Sequence, residues 1–142
     1  MTTEKSAEKS SVPARRVLIV EDSPAMRQLL SLALKRVPGI TIDQAGDGVA
    51  ALKALRAGPP YDLVLLDLNM PVMDGMKVLA RLRDDKQLDK TTVVVVTTEE
   101  GAEAEDKARA LGAKHFVKKP VNRRTIEKIL AEVFGDHPPR AE

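Results

Sequence analysis

Four apolar runs of this sequence each end at residues that can do chemistry. The runs stop at Glu21-Asp22, Asp67, Thr97 and Lys118-Lys119. Carboxylates supply the oxygen ligands that Mg²⁺ prefers. A carboxylate can also attack phosphorus when cations neutralise the charge on the transferring group. Together these residue types indicate a site for a divalent metal and a phosphoryl group, with Asp67 as nucleophile, Lys119 as the amine and Thr97 as a hydrogen-bond donor.

The runs themselves predict buried strands of a parallel sheet. Val17 to Val20, Leu63 to Leu66 and Val93 to Val96 consist of leucine and β-branched residues and are bounded by helix-like stretches. In open α/β sheets, ligands bind beyond the carboxyl ends of the strands. We therefore expect three carboxylates, a hydroxyl and an amine to meet at one edge of the sheet.

Amphipathic helices separate these strands. Ser23-Pro24 predicts a helix N-cap followed by proline at the first helical position, and Asp47 predicts a second cap. The predicted strands span residues 16–20, 40–45, 61–66, 92–96 and 114–117, and the second alternates apolar and polar residues as an edge strand does. The fourth helix, predicted at 99–111, has few large apolar anchors. The pattern predicts an α/β fold with a doubly wound five-stranded parallel sheet and five helices.

Length and composition limit the classes of function. The 142 residues fit one domain, predicted at 15–135, with a disordered N-terminal tail at 1–14 and a C-terminal tail at 136–142. The 23 basic and 21 acidic residues form no basic stripe with stacking aromatics, so we expect no nucleic-acid binding. No apolar run approaches the ~20 residues of a spanning helix. Cysteine is absent, which fits a reducing cytoplasm, and we expect a cytoplasmic protein with no membrane partner.

Each candidate residue has a simpler structural explanation. Acidic residues after strands often cap the next helix, and Thr97 can do the same. A lysine at the end of an edge strand is usually a solvated residue that discourages edge pairing. Their joint occurrence at the ends of separate strands of one sheet favours a common site.

Four motifs carry a resemblance to a known family. They are Val20 to Ser23, Leu66 to Gly75, Val96 to Glu99 and Phe116 to Pro120. From about Arg15 to Phe134 the sequence closely resembles the receiver domain of bacterial response regulators, above all the single-domain chemotaxis (CheY-like) type. The resemblance implies the flavodoxin-like strand order 2-1-3-4-5, for which CheY is itself a standard example.

The resemblance implies a role for each acidic position. Asp67 would accept a phosphoryl group from a histidine kinase. Asp22 and Asp67 would bind Mg²⁺ directly, Asn69 would add its backbone carbonyl, and Glu21 would act through a bound water. Glutamate is a common variant at the position of Glu21, where aspartate is more frequent.

The resemblance also implies a switch. Thr97 and Lys119 would contact the phosphoryl oxygens, and the peptide bond from Lys119 to Pro120 would be cis. Phe116 occupies the aromatic switch position and would move inward as Thr97 shifts toward the phosphoryl group. A simple core phenylalanine is the alternative interpretation of Phe116.

The implied function is a stand-alone receiver of a two-component system, a monomer or weak dimer that is not an enzyme but assists its own phosphorylation and dephosphorylation. Its output partner would bind the face of the fourth helix, fifth strand and fifth helix. One side of that face is acidic and comprises Glu99, Glu100, Glu103, Glu105 and Asp106. The neighbouring side is basic and comprises Lys114, Arg123, Arg124 and Lys128. The alternative interpretation is that these charges are ordinary solvated surface residues.

Three more specific functions stay open. Asn69 and Glu99 resemble the pairing in chemotaxis receivers, which favours a flagellar motor switch protein as partner. A relay intermediate that passes phosphate to a histidine phosphotransfer protein is the alternative. A haloacid-dehalogenase-like phosphohydrolase is disfavoured, because it requires two aspartates separated by one residue and Asp67-Leu68-Asn69 lacks the second.

Overall fold

A computed structural model describes residues 14–70, 73–98 and 101–135. Strands and helices alternate along the whole of this part of the chain. The elements are β1 (Arg15–Val20), α1 (Pro24–Lys35), β2 (Ile40–Ala45), α2 (Gly48–Ala57), β3 (Leu63–Leu66), α3 (Gly75–Asp84), a 3₁₀ helix (Gln87–Asp89), β4 (Thr92–Thr97), α4 (Ala102–Ala110), β5 (His115–Lys118) and α5 (Arg123–Phe134). The predicted tails, apart from Ala14, lie outside the described residues, as do the predicted positions Glu99 and Glu100.

The five strands form one parallel sheet with the order β2-β1-β3-β4-β5. The predicted fold class and strand order are therefore confirmed. β2 lies at one edge, as its alternating sequence predicts, and β5 lies at the other. Because all strands run in the same direction, the residues that follow β1, β3, β4 and β5 gather at one edge of the sheet.

Successive residues of the central strands supply two separate core layers, since side chains alternate across a strand. One layer includes Leu18, Val64 and Val95 and packs against α2, α3 and α4. The other includes Ile19 and Leu65 and packs against α1 and α5. Burial on both faces explains why these strands are continuously apolar in sequence.

Four of the α-helices begin at a side chain that accepts a hydrogen bond from a main-chain N–H in their own first turn. These caps are Ser23, Asp47, Asp74 and Asn122. The predicted caps Ser23 and Asp47 are confirmed. α4 differs, because it follows Gly101, which has a φ of 104° and no side-chain cap, and its buried residue is Ala108. α4 is consequently the helix with the least anchorage among those described.

β3 begins at Leu63, so the predicted start at Tyr61 was wrong by two residues. The main-chain N–H of Arg16 donates to the carboxylate of Asp62 at 2.8 Å. In a regular parallel strand, the N–H of Arg16 would donate to a main-chain carbonyl. Here it donates to the Asp62 side chain, so the hydrogen-bonded ladder between β1 and β3 starts one residue later along β1. None of the helices in the described part of the chain is both long enough and apolar enough to span a bilayer.

Candidate functional site

Three carboxylates meet where β1 and β3 end. Glu21 and Asp22 follow β1, Asp67 follows β3, and one oxygen of each lies within 4.8 Å of the others. The two strand ends are aligned because the Asp67 N–H donates to the Val20 carbonyl at 3.0 Å. Glu21 and Asp67 are buried, whereas Asp22 is exposed. The fold therefore brings the predicted acidic residues together.

Glu21 is held through both its main chain and its carboxylate. Its N–H donates to the carbonyl of Ala45 at 3.0 Å. Its Oε2 accepts from the N–H of Ser23 at 3.2 Å, and its Oε1 accepts from Nζ of Lys119 at 2.7 Å. Burial raises the pKa of the Glu21 carboxyl above its usual value of 4.5, and the hydrogen bond from Lys119 offsets part of that rise.

Asp67 is held from two sides and is only 3% exposed. Its Oδ1 accepts from the N–H of Asn69 at 3.1 Å, and its Oδ2 lies 3.4 Å from Nζ of Lys119. Gly75, the first residue of α3, packs so closely on this segment that an added Cβ would lie 2.3 Å from the Asp67 carbonyl oxygen. The first residue of α3 therefore packs directly against the main chain of Asp67, the candidate nucleophile.

The lysine of the site is Lys119, which follows β5. Its N–H donates to the carbonyl of Thr97 at 2.8 Å, and its ammonium reaches Glu21 and Asp67. Lys118 is exposed and pairs in register with Thr97. The peptide bond between Lys119 and Pro120 is cis, as predicted.

The other predicted residues lie on β4, on β5 and in the segment that follows β3. Thr97 is fully buried at the end of β4, and Phe116 is half-buried against the core layer that includes α4. Asn69 is exposed, and its Nδ2 donates to Oγ1 of Thr98 at 3.2 Å. The predicted partner of Asn69, Glu99, lies outside the described residues.

Two residues near the site were not predicted from the sequence. Thr98 contacts Asn69, and Arg27 donates to the carbonyl of Glu21 from α1. Arg27 has the sequence context of an ordinary polar residue on an amphipathic helix, so no pattern identifies it. The threonine after Thr97 could have been suspected only from its place at a strand end.

The donor set suits a divalent cation. All three side chains offer carboxylate oxygens, which hard cations such as Mg²⁺ require. Within residues 14–70, 73–98 and 101–135, the Asp22 side chain makes no hydrogen bond or ion pair, so it is available as a ligand. Glu21 and Asp67 share the single ammonium of Lys119, which balances only part of the negative charge.

The fold and the site together define a doubly wound α/β domain with an acidic ligand site at the carboxyl edge of its sheet. The family model of the response regulator receiver domain matches residues 17–131. The chain belongs to this family, whose members are signalling modules of two-component systems that interact with histidine kinases and output proteins.

Curated relatives share most of this chain. It is 38% identical over 120 residues to the two-component response regulator ORR41 of Oryza sativa subsp. japonica, covering 82% of this chain and 92% of the relative. It is 39% identical over 119 residues to protein-glutamate methylesterase/protein-glutamine glutaminase 1 of Methanospirillum hungatei, covering 83% of this chain. The chain spans about a third of that relative, namely 34% of its length.

Solved structures show the same fold. The chemotaxis protein CheY4 of Vibrio cholerae is 33% identical, with a TM-score of 0.77 and coverage of 84% of this chain and 98% of that chain. The response regulator TrrA of Thermotoga maritima, solved in complex with Mg²⁺-BeF, is 30% identical, with a TM-score of 0.72 and the same coverage of both chains, 84% and 98%. These similarities support a CheY-like receiver.

Proposed function

We propose that Asp67 is the phosphoacceptor of this receiver. An oxygen of the Asp67 carboxylate forms a bond to phosphorus while the bond from phosphorus to a histidine nitrogen of the kinase breaks. The electron pair of that bond stays on the nitrogen, which takes up a proton, and an acyl phosphate remains on Asp67. The hydrogen bond from the Asn69 N–H supports this role because it fixes the direction of the carboxylate.

The metal in this proposal is Mg²⁺, held by Asp22, Asp67 and the backbone carbonyl of Asn69, with Glu21 acting through a water. When bound, it supplies positive charge that offsets the charge on the transferring phosphoryl group. The mutual approach of the acidic oxygens supports the assignment, as does the Mg²⁺-BeF complex of TrrA. Mg²⁺ fits because it binds through one or two carboxylates and keeps several waters.

Thr97 and Lys119 are the proposed ligands of the phosphoryl oxygens. Both belong to the segments that end β4 and β5, and the main chain already joins them through the bond from the Lys119 N–H to the Thr97 carbonyl. A shift of Thr97 toward the phosphoryl group would therefore act on β5 as well. The single observation that carries the proposal is that the Lys119 ammonium contacts two carboxylates that follow different strands.

We further propose that the output face comprises α4, β5 and α5. Phe116 on β5 is half-buried against the same core layer as Ala108 on α4. Because α4 has little anchorage, a small inward movement of Phe116 would change this face at low cost. Chemotaxis-type signalling fits the similarity to CheY4, and a phosphorelay is the alternative.

The test is incubation with acetyl phosphate and Mg²⁺ followed by intact-mass measurement. The wild type should gain one phosphoryl group per chain, the gain should need Mg²⁺, and alkali should remove it because acyl phosphates hydrolyse at high pH. Asp67→Ala should gain none. Asp84→Ala, which removes an exposed acid on α3, is the matched control and should label like the wild type.

Equal labelling of Asp67→Ala and the wild type would overturn the assignment. Catalytic release of phosphate beyond one equivalent per chain would instead favour a phosphohydrolase. A relay would be indicated if the labelled protein passed its phosphate to a histidine phosphotransfer protein, and a terminal effector if it bound a motor switch protein without transfer.

A further inference from the structure

Arg27 contacts the main chain between the two acids that follow β1. It lies one turn into α1, and its Nη1 donates to the Glu21 carbonyl oxygen at 2.7 Å. Its Nε donates to Oε1 of Gln44 on β2 at 3.2 Å. The planar guanidinium therefore joins the ends of two strands with two hydrogen bonds whose relative directions are fixed.

The Glu21 carbonyl belongs to the peptide unit that links Glu21 to Asp22, and a peptide unit is planar. The bond from Arg27 therefore sets the orientation of that plane. The preceding peptide unit is set as well, since the Glu21 N–H donates to the carbonyl of Ala45 at 3.0 Å. Both planes that flank Glu21 are thus fixed by hydrogen bonds to other segments.

The orientation of this peptide matters most for Asp22. Glu21 has its carboxylate held by Ser23 and Lys119, but Asp22 is exposed and its side chain has no partner within the described part of the chain. The direction in which the Asp22 carboxylate points is therefore determined by its main chain. That main chain is fixed by the contact from Arg27.

We propose that Arg27 is a positioning residue for the metal site: it fixes the peptide between Glu21 and Asp22 so that the Asp22 carboxylate faces Asp67. The inference rests on the proposed function, in which these acids hold Mg²⁺. Gly46, which follows β2, leaves room for the guanidinium, since an added Cβ there would lie 3.2 Å from Nη1 of Arg27.

The positive charge of Arg27 and its hydrogen bond to Glu21 have opposite effects on the affinity for Mg²⁺. A guanidinium near a cation site repels Mg²⁺, so loss of its charge alone would strengthen metal binding. Loss of the hydrogen bond to Glu21 would weaken binding, because Asp22 would no longer be held in place. The direction of the change in affinity therefore separates a positioning role from a purely electrostatic one.

The experiment is calorimetric titration of the full chain with MgCl₂. Arg27→Met should bind Mg²⁺ roughly 10-fold more weakly than the wild type, the lower end of the range for loss of residues that orient metal ligands. Arg27→Lys keeps the charge but cannot reproduce two fixed donors, so its affinity should also fall. The control is Arg81→Met, which removes an exposed arginine on α3 and should leave the affinity unchanged.

Far-UV circular dichroism and urea unfolding without metal would show whether each variant folds. If Arg27→Met does not fold, the Mg²⁺ affinity of Arg27→Lys tests the positioning role in its place. Affinity equal to or tighter than that of the wild type in a folded Arg27 variant would overturn the inference while leaving the proposed function intact. A wild type that binds no Mg²⁺ would contradict the proposed metal site and this inference together.

Discussion

The ammonium of Lys119 lies 2.7 Å from Oε1 of Glu21, although 98 residues separate them in the chain. The same nitrogen lies 3.4 Å from Oδ2 of Asp67, so Glu21 is the closer partner. The chain therefore supplies a cation to its own acidic cluster. In the proposed function, Lys119 would have to loosen its contact with Glu21 when it binds a phosphoryl oxygen.

Replacement of Lys119 by methionine should destabilise the metal-free protein. The change leaves Glu21 and Asp67 buried without their cation, and removal of one partner of a buried ion pair costs about 3 kcal/mol. Urea unfolding in the presence of a chelator would measure the loss. Lys118→Met removes the exposed neighbour and should change the free energy of unfolding by no more than about 0.5 kcal/mol. Equal effects of the two substitutions would contradict the assigned role of Lys119.

The stability of the metal-free protein should depend on pH through Glu21. Burial raises the pKa of this carboxyl above its unfolded value of 4.5, so the folded state holds its proton more tightly than the unfolded state does. The contribution of Glu21 to stability is therefore full below pH 4.5 and declines as the pH rises through the folded pKa.

Glu21→Gln provides the comparison, because glutamine does not titrate. The stability of the wild type relative to Glu21→Gln should increase as the pH is lowered from 7 toward 4.5, as measured by urea unfolding at several pH values with a chelator. A relative stability that falls over this interval would show that the pKa of Glu21 is lowered instead.

Tyr61 should ionise well above the usual range for tyrosine. It is buried, and its hydroxyl donates to Oδ2 of Asp43 at 2.6 Å. Burial first, and then this hydrogen bond, raises the pKa of Tyr61 from 10.0 to about 12. Stability should therefore fall above pH 10, where the unfolded state begins to lose this proton first.

The chain has one tyrosine and no tryptophan, so ultraviolet absorbance follows Tyr61 alone. The tyrosinate signal should have a midpoint near pH 12 in the folded protein and near 10.0 in urea. Asp43→Asn, which removes the charged acceptor, should move the folded midpoint downward. A midpoint near 10 in a protein that is still folded would contradict the burial and the hydrogen bond.

Gly75→Ala should be strongly destabilising. The new Cβ would lie 2.3 Å from the Asp67 carbonyl oxygen and 2.8 Å from Cα of Leu68, and both are main-chain atoms that cannot rotate away. We expect a loss of at least about 2 kcal/mol by urea unfolding, as for other overpacked sites. Gly58→Ala is the matched control, because no heavy atom outside Gly58 and its two chain neighbours lies within 4 Å of the position of the added Cβ. Similar losses for the two variants would exclude overpacking as the cause.

The sequence was most informative where one physical cause dominated. Continuous apolar runs predicted the central strands because both faces of the sheet are covered by helices. The caps Ser23 and Asp47 were predictable because a short polar side chain before an apolar repeat satisfies main-chain donors at a helix start. The meeting of Glu21, Asp22 and Asp67 at one edge of the sheet was predictable because parallel strands end on the same side.

The features that could not be predicted from the sequence depend on contacts between segments that are far apart in the chain. The closer approach of Lys119 to Glu21 than to Asp67 is set by side-chain packing, which no local pattern encodes. The bond from Arg27 to Glu21 likewise requires the crossing geometry of α1 over the sheet. The start of β3 was misplaced because the Asp62 side chain, and not the main chain, accepts the N–H of Arg16.

The lysine that pairs with the acidic cluster follows β5, far later in the sequence than the acids themselves. A ribosome synthesises Glu21, Asp22 and Asp67 well before Lys119, so a nascent chain can pair β1 with β3 while its acids still lack their internal cation. Those acids repel one another at short range until the last strand–helix unit docks. Charge pairing in the acidic cluster therefore waits until β5 has docked, and a chain that lacks β5 would keep uncompensated negative charge at this edge of the sheet.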